Sequence, residues 1–139
     1  MVVHFESEGD TTSILRSIKE LGVDAGVAIN PETDWKELDT VWEISDVVQV
    51  MTVNPGFSGQ TFMKDQLVKI SNLRRKIDEL GMDVRIAVDG GIDSETAPLA
   101  VDAGANILVA GSSIYNKTAT VAENVKLLTE SIVHEARVG

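Results

Sequence analysis

The sequence predicts an α/β fold built on one parallel sheet, and three observations predict it. Short β-branched apolar runs alternate with segments whose apolar residues recur at three- and four-residue steps. That βα pattern occurs five times, with units beginning near Val2, Ala25, Val47, Val84 and Asn106. Each unit is long enough for a right-handed crossover between parallel strands.

The elements follow in order. Val2-Val3-His4-Phe5 reads as the first strand. Asp10 and Thr11 can cap a helix carrying Ile14, Leu15, Ile18 and Leu21, and Gly22 sits where a left-handed stop belongs. Ala25–Ile29 is a second strand, ended by Asn30-Pro31 because proline cannot continue a central ladder. Thr33 or Asp34 starts a second helix, with Leu38, Val41 and Trp42 on one face, and Trp35 and Trp42 seven residues apart. Val47–Val53 is a largely apolar, β-branched run, as expected of a strand buried on both faces. Leu67, Ile70, Leu73, Ile77 and Leu80 form one stripe of a long helix stopped by Gly81. Val84–Val88 is the fourth strand. Asp93 and Ser94 open a helix ended by Gly104, with Pro98 early enough in it to cost little, though in the second turn it can remove one hydrogen bond. Asn106–Ala110 is the fifth strand, and a last helix directs Val121, Val125, Leu128 and Ile132 inward.

Composition narrows the function. The net charge of −10 disfavours a nucleic-acid or anionic-membrane partner, so a phosphate ligand must be held by local geometry against the overall field. Without cysteine there is no disulfide framework and no thiolate metal site. No apolar run approaches membrane-spanning length and no signal peptide is evident, which makes the cytoplasm the expected location.

Chemistry is expected at the carboxyl ends of the strands, where α/β proteins place it. Three of those ends carry glycine: Asn54-Pro55-Gly56-Phe57-Ser58-Gly59-Gln60, Asp89-Gly90-Gly91 and Gly111-Ser112. Bare backbone N–H groups there can hold a phosphate without a basic side chain. Asp89 is the one carboxylate among them. Each motif also has a plain reading. Asp-Gly-Gly is a common turn, Gly111-Ser112 can be a helix cap, and Met51 can be core filler. The histidines His4 and His134 have no second ligand at metal spacing.

Met51-Thr52-Val53-Asn54-Pro55-Gly56-Phe57-Ser58-Gly59-Gln60, with Val88-Asp89-Gly90-Gly91 and Val109-Ala110-Gly111-Ser112-Ser113-Ile114, resembles the ribulose-phosphate 3-epimerase family. His4 with Glu6 is similar to that family's fourth strand, and Gly26–Pro31 to its fifth. The resemblance implies a partial TIM (β/α)8 barrel, five βα units corresponding to strands four to eight of a fold of roughly 250 residues. It implies an isomerase acting on a pentulose 5-phosphate in the pentose phosphate pathway.

By the same resemblance Asp89 is both a metal ligand and one of two acid/base groups, and Met51 lies beside the enediolate. Gly56, Phe57, Ser58 and Gly59 cover the substrate, while Gly90, Gly91, Gly111 and Ser112 cradle its phosphate. The implied cofactor is a divalent cation: zinc, iron or manganese. The family's first three strands carry a serine, two metal-binding histidines and the partner aspartate, and residues 1–139 contain no counterpart of them. The isolated chain is therefore expected to be inactive, and to form a homo-oligomer or to pair with a complementing N-terminal fragment. Other readings remain: an allulose-6-phosphate epimerase, a hexulose-phosphate synthase (against which the Met51–Gln60 stretch argues), or a non-catalytic phosphate-binding remnant.

Overall fold

The computed structural model describes residues 1–56 and 59–135. Five parallel strands form one sheet in sequential order: β1 (Val2–His4), β2 (Gly26–Ile29), β3 (Val47–Met51), β4 (Arg85–Asp89) and β5 (Ile107–Val109). Four helices connect or follow them: α1 (Thr11–Glu20), α2 (Gln66–Leu80), α3 (Thr96–Asp102) and α4 (Val121–Glu135). The expected α/β architecture is thus present as a partial (β/α)8 barrel.

Strand alternation sorts the sheet into two faces. Val3, Val27, Val48 and Ile86 stand in one cross-strand layer, and Ile29, Val50, Val88 and Leu108 in the next. These branched side chains pack with Leu15 and Ile18 of α1, Ile70, Leu73 and Ile77 of α2, and Ala97 and Ala100 of α3 as the core. The other face carries His4, Ala28, Gln49 and Ala87 in register, with Met51, Asp89 and Val109 one layer higher. Among the described residues no helix covers that second face, and Ala28, Met51 and Ala87 on it lie outside the helix-packed core. Its polar residues are therefore concentrated away from the core, toward the carboxyl ends of the strands.

Several elements differ from expectation. The segment between β2 and β3 is not one helix but two 3₁₀ pieces, Trp35–Thr40 and Trp42–Ile44, so the two tryptophans lie on different pieces. Asp34 and Glu37 form a capping box that starts the first. Thr40, Val41 and Trp42 are weak helix formers, and the tighter winding lets Leu38, Val41 and Trp42 all reach the core. α3 begins at Thr96 rather than Asp93. Asp93 remains its capping side chain, accepting from the N–H groups of Glu95 and Thr96 at 2.9 Å each. Pro98 consequently falls in the first turn, where its missing N–H forfeits no helical bond. Leu80, at the end of the α2 stripe, is exposed.

α4 departs most. Leu128 and Ile132 pack against the core, but Val121 and Val125 are each 47% exposed. The cause is topological: among the described residues β5 pairs only with β4, so no further strand lies beneath this helix.

Candidate active site

β3 and β4 bring the site together. Their register sets Met51 beside Asp89, and Asp89 beside Val109 of β5. Just past the ladder, Thr52 locks the two strand ends. Its N–H donates to the Asp89 carbonyl at 2.9 Å, and its hydroxyl donates to the Gly90 carbonyl at 2.6 Å. Thr52 is fully buried, so both bonds are shielded from water.

Asp89 is half-buried at the top of the uncovered face. Gln49 Nε2 donates to its Oδ2 at 3.2 Å and lies 3.6 Å from the sulfur of Met51. Burial raises the Asp89 pKa above the usual carboxylate range, while the His4 imidazole pulls it back. A carboxylate with raised proton affinity in a half-open site is suited to accepting a proton from carbon.

Beside it the three glycine-bearing ends converge on a hollow of about 160 Å³, lined by Gly59, Asp89, Gly90, Gly91, Gly111 and Ser112 among others. Gly90 (φ 130°) and Gly91 (φ 65°) are both in the region that favours glycine. A Cβ on Gly91 would lie 2.7 Å from the Phe62 nitrogen, and one on Gly90 would lie 2.5 Å from Val53 Cγ2. The β3–α2 loop therefore rests directly on the glycine backbone of the β4 end. Its return is anchored by the Met63 N–H, which donates to the Thr52 carbonyl at 2.8 Å. Ser113 Oγ donates to the Ile92 carbonyl at 2.6 Å, tying the β5 end to the β4 end. Among the described residues the N–H groups of Gly91, Gly111 and Ser112 donate to no protein acceptor. Unengaged backbone N–H groups beside a small hollow can hold an anion.

The structure thus gathers Asp89, Gly59, Gly90, Gly91, Gly111 and Ser112, with Met51 adjacent. Gly56 is exposed and does not line the hollow. Phe57 and Ser58 lie outside the described residues. Sequence reasoning missed Gln49, Thr52 and Ser113. Only the alternation along Val47-Val48-Gln49-Val50-Met51 held a signal, since a lone amide in a buried run must face a polar partner.

Among the described residues no second carboxylate faces Asp89, and His4, the other titratable group on this face, stands three strands away on β1. Asp93 is committed to capping α3. Asp46 sits at the opposite end of the sheet, accepting from Lys19 Nζ at 2.7 Å and from the Ala25 N–H at 2.8 Å. No three His, Cys, Asp or Glu side chains converge among the described residues. Asp89 with an amide and a thioether beside it is too small a donor set for a divalent cation.

A sequence model of the ribulose-phosphate 3 epimerase family matches residues 1–115. Among relatives, the chain is 47% identical over 117 residues to the ribulose-phosphate 3-epimerase of Bacillus subtilis, covering 84% of this chain and 54% of that one. It is 39% identical over 139 residues to that of Chlamydia muridarum, covering 99% and 61%. The chain therefore spans about half to three fifths of the length of these relatives. A 3-hexulose-6-phosphate synthase structure from Salmonella typhimurium shares the fold, with a TM-score of 0.69 and 23% identity over 96% of this chain and 61% of that one. With a family match over most of its length and relatives up to 47% identical, the chain belongs to the ribulose-phosphate 3-epimerase family.

Proposed function

We propose that this chain carries the phosphate-holding half, and one of the two acid/base groups, of an epimerase site. That site interconverts D-ribulose 5-phosphate and D-xylulose 5-phosphate. The observation that carries the reading is the placement of half-buried Asp89 on the rim of a hollow with three unengaged N–H donors. A phosphate held by Gly91, Gly111 and Ser112 anchors one end of the sugar, and the carbon next to the ketone comes to lie over the Asp89 carboxylate. Asp89 then takes the proton from that carbon, and the electron pair moves onto the carbonyl oxygen to give the enediolate. Gln49 keeps Oδ2 engaged, which leaves Oδ1 for the reacting hydrogen.

Inversion needs a second group to return a proton to the opposite face, and the described residues place no carboxylate there, so in this reading a complementing chain supplies it. A divalent cation such as zinc, iron or manganese would likewise need ligands beyond Asp89. The lack of an opposing group also favours a second reading, in which the chain binds sugar phosphates without turning them over. Calorimetric titration with ribulose 5-phosphate tests the shared core of both. Binding is expected, and Gly111→Val should abolish it by adding bulk to a residue that lines the hollow, while a Cβ there meets nothing within 4 Å and leaves the backbone unstrained. Equal affinity in Gly111→Val would overturn the placement of the phosphate.

A further inference from the structure

The glycine cradle supplies dipoles but no full charge, while the phosphate it would receive is a dianion and the chain carries −10. The cradle opens outward into a second hollow of about 470 Å³, which shares Gly59, Gln60, Gly91, Ile92 and Ser112 with the first. Asp93 and Glu95 line this outer space, and Asp89 lines the inner one, so the fixed charge around the cradle is largely negative. Among the described residues, Lys64 is the one basic side chain lining either hollow.

Its backbone is anchored by the two residues before it. Lys64 follows Phe62 by two residues, and the Phe62 nitrogen lies against the Gly91 backbone. Met63, between them, is held by its bond to the Thr52 carbonyl. The lysine is exposed and makes no ion pair among the described residues, so its ammonium is uncommitted.

We propose that Lys64 is a substrate-binding residue, extending over the outer mouth of the cradle to supply the full positive charge that the phosphate dianion meets. This rests on the phosphate placement proposed above. The backbone donors fix the position of the phosphoryl group, and Lys64 offsets the acidic field that would otherwise repel it. It also steers the anion toward the hollow.

The test is calorimetric titration of the whole chain with inorganic phosphate at about pH 8, where the dianion dominates, at low and high salt. Amide shifts of Gly91, Gly111 and Ser112 report whether binding is at the cradle. Lys64→Ala and Lys64→Gln are expected to weaken binding about three- to tenfold and to flatten its salt dependence. Lys64→Arg should stay within about twofold of the parent, and Lys36→Ala, on the first 3₁₀ piece, should change nothing. Unchanged affinity and salt slope in Lys64→Ala, with binding lost in Gly111→Val, would overturn the role of Lys64 and leave the cradle standing. Absence of phosphate binding in the parent chain would overturn both.

Discussion

Gly91 and Gly111 both lie in the cradle, yet they answer to different forces. At Gly91 the positive φ and the 2.7 Å approach of Phe62 make glycine a folding requirement. Gly91→Val should therefore lower stability by about 2–4 kcal/mol, read by urea unfolding, whereas Gly111→Val should shift it by less than about 0.5 kcal/mol. Equal costs at the two sites would contradict this division. Asp89 shows the same tension in charge. Burial raises its folded pKa, so the ionised carboxylate destabilises the native state once the pH exceeds its unfolded value, and below that value the penalty is gone. Asp89→Asn should accordingly raise the melting temperature near neutral pH and lose that advantage in acid. A melting temperature raised equally at both would show that charge is not the cause. The carboxylate and the glycines were legible in the sequence because Asp-Gly-Gly and Pro-Gly-Phe-Ser-Gly are short local patterns. Gln49 and Thr52 were not, because their partners Asp89 and Gly90 lie 40 and 38 residues away and only the register of β3 on β4 brings them together.

The strands and the long helices were read correctly to within a residue or two at most ends, because a buried parallel strand and an amphipathic helix each carry their own periodicity. The 3₁₀ pieces and the outer face of α4 were not, since they depend on what packs beside them. Asp46 shows how the lower end of the sheet is held. Its carboxylate joins Lys19 of α1 to the start of β2, its N–H donates to the Ala25 carbonyl at 2.7 Å, and its carbonyl accepts from the Arg85 N–H at 3.0 Å. The Lys19 hydrogen bond, partly opposed by desolvation and reinforced by the Ala25 N–H, holds its pKa below the usual carboxylate value. A lowered folded pKa gives stability that is present above the unfolded value and is lost as the pH falls through the folded one. Asp46→Ala should therefore reduce stability at neutral pH, by about 1 kcal/mol for the lost hydrogen bonds, and the gap to the parent should close in acid. Phosphate binding, at the other end of the strands, should be unaffected. A gap that persists unchanged in acid would show that the carboxylate's charge plays no part.

The whole molecule is a barrel segment with two open edges. β1 pairs only with β2 and β5 only with β4, and Val2 and Val109 on these edges are 43% and 41% exposed. Leu127 on α4 is 57% exposed as well. Open parallel edges flanked by apolar side chains favour association. Light scattering should therefore show a mass that rises with concentration above that of one chain, and a constant monomer mass at high concentration would contradict this. The same openness bears on function, because among the described residues the uncovered face sets no second carboxylate opposite Asp89. The most direct test of the central claim is a coupled epimerase assay on the purified chain, run alone and mixed with a fragment carrying the first three βα units of the Bacillus subtilis relative. Alone, with or without added zinc, iron or manganese, the chain should fall below a full-length epimerase by at least about 10²–10⁴-fold, the contribution of one missing acid/base group. Mixing should restore turnover, and Asp89→Asn should abolish it. Turnover by the isolated chain at the rate of a full-length epimerase, lost in Asp89→Asn, would contradict the account.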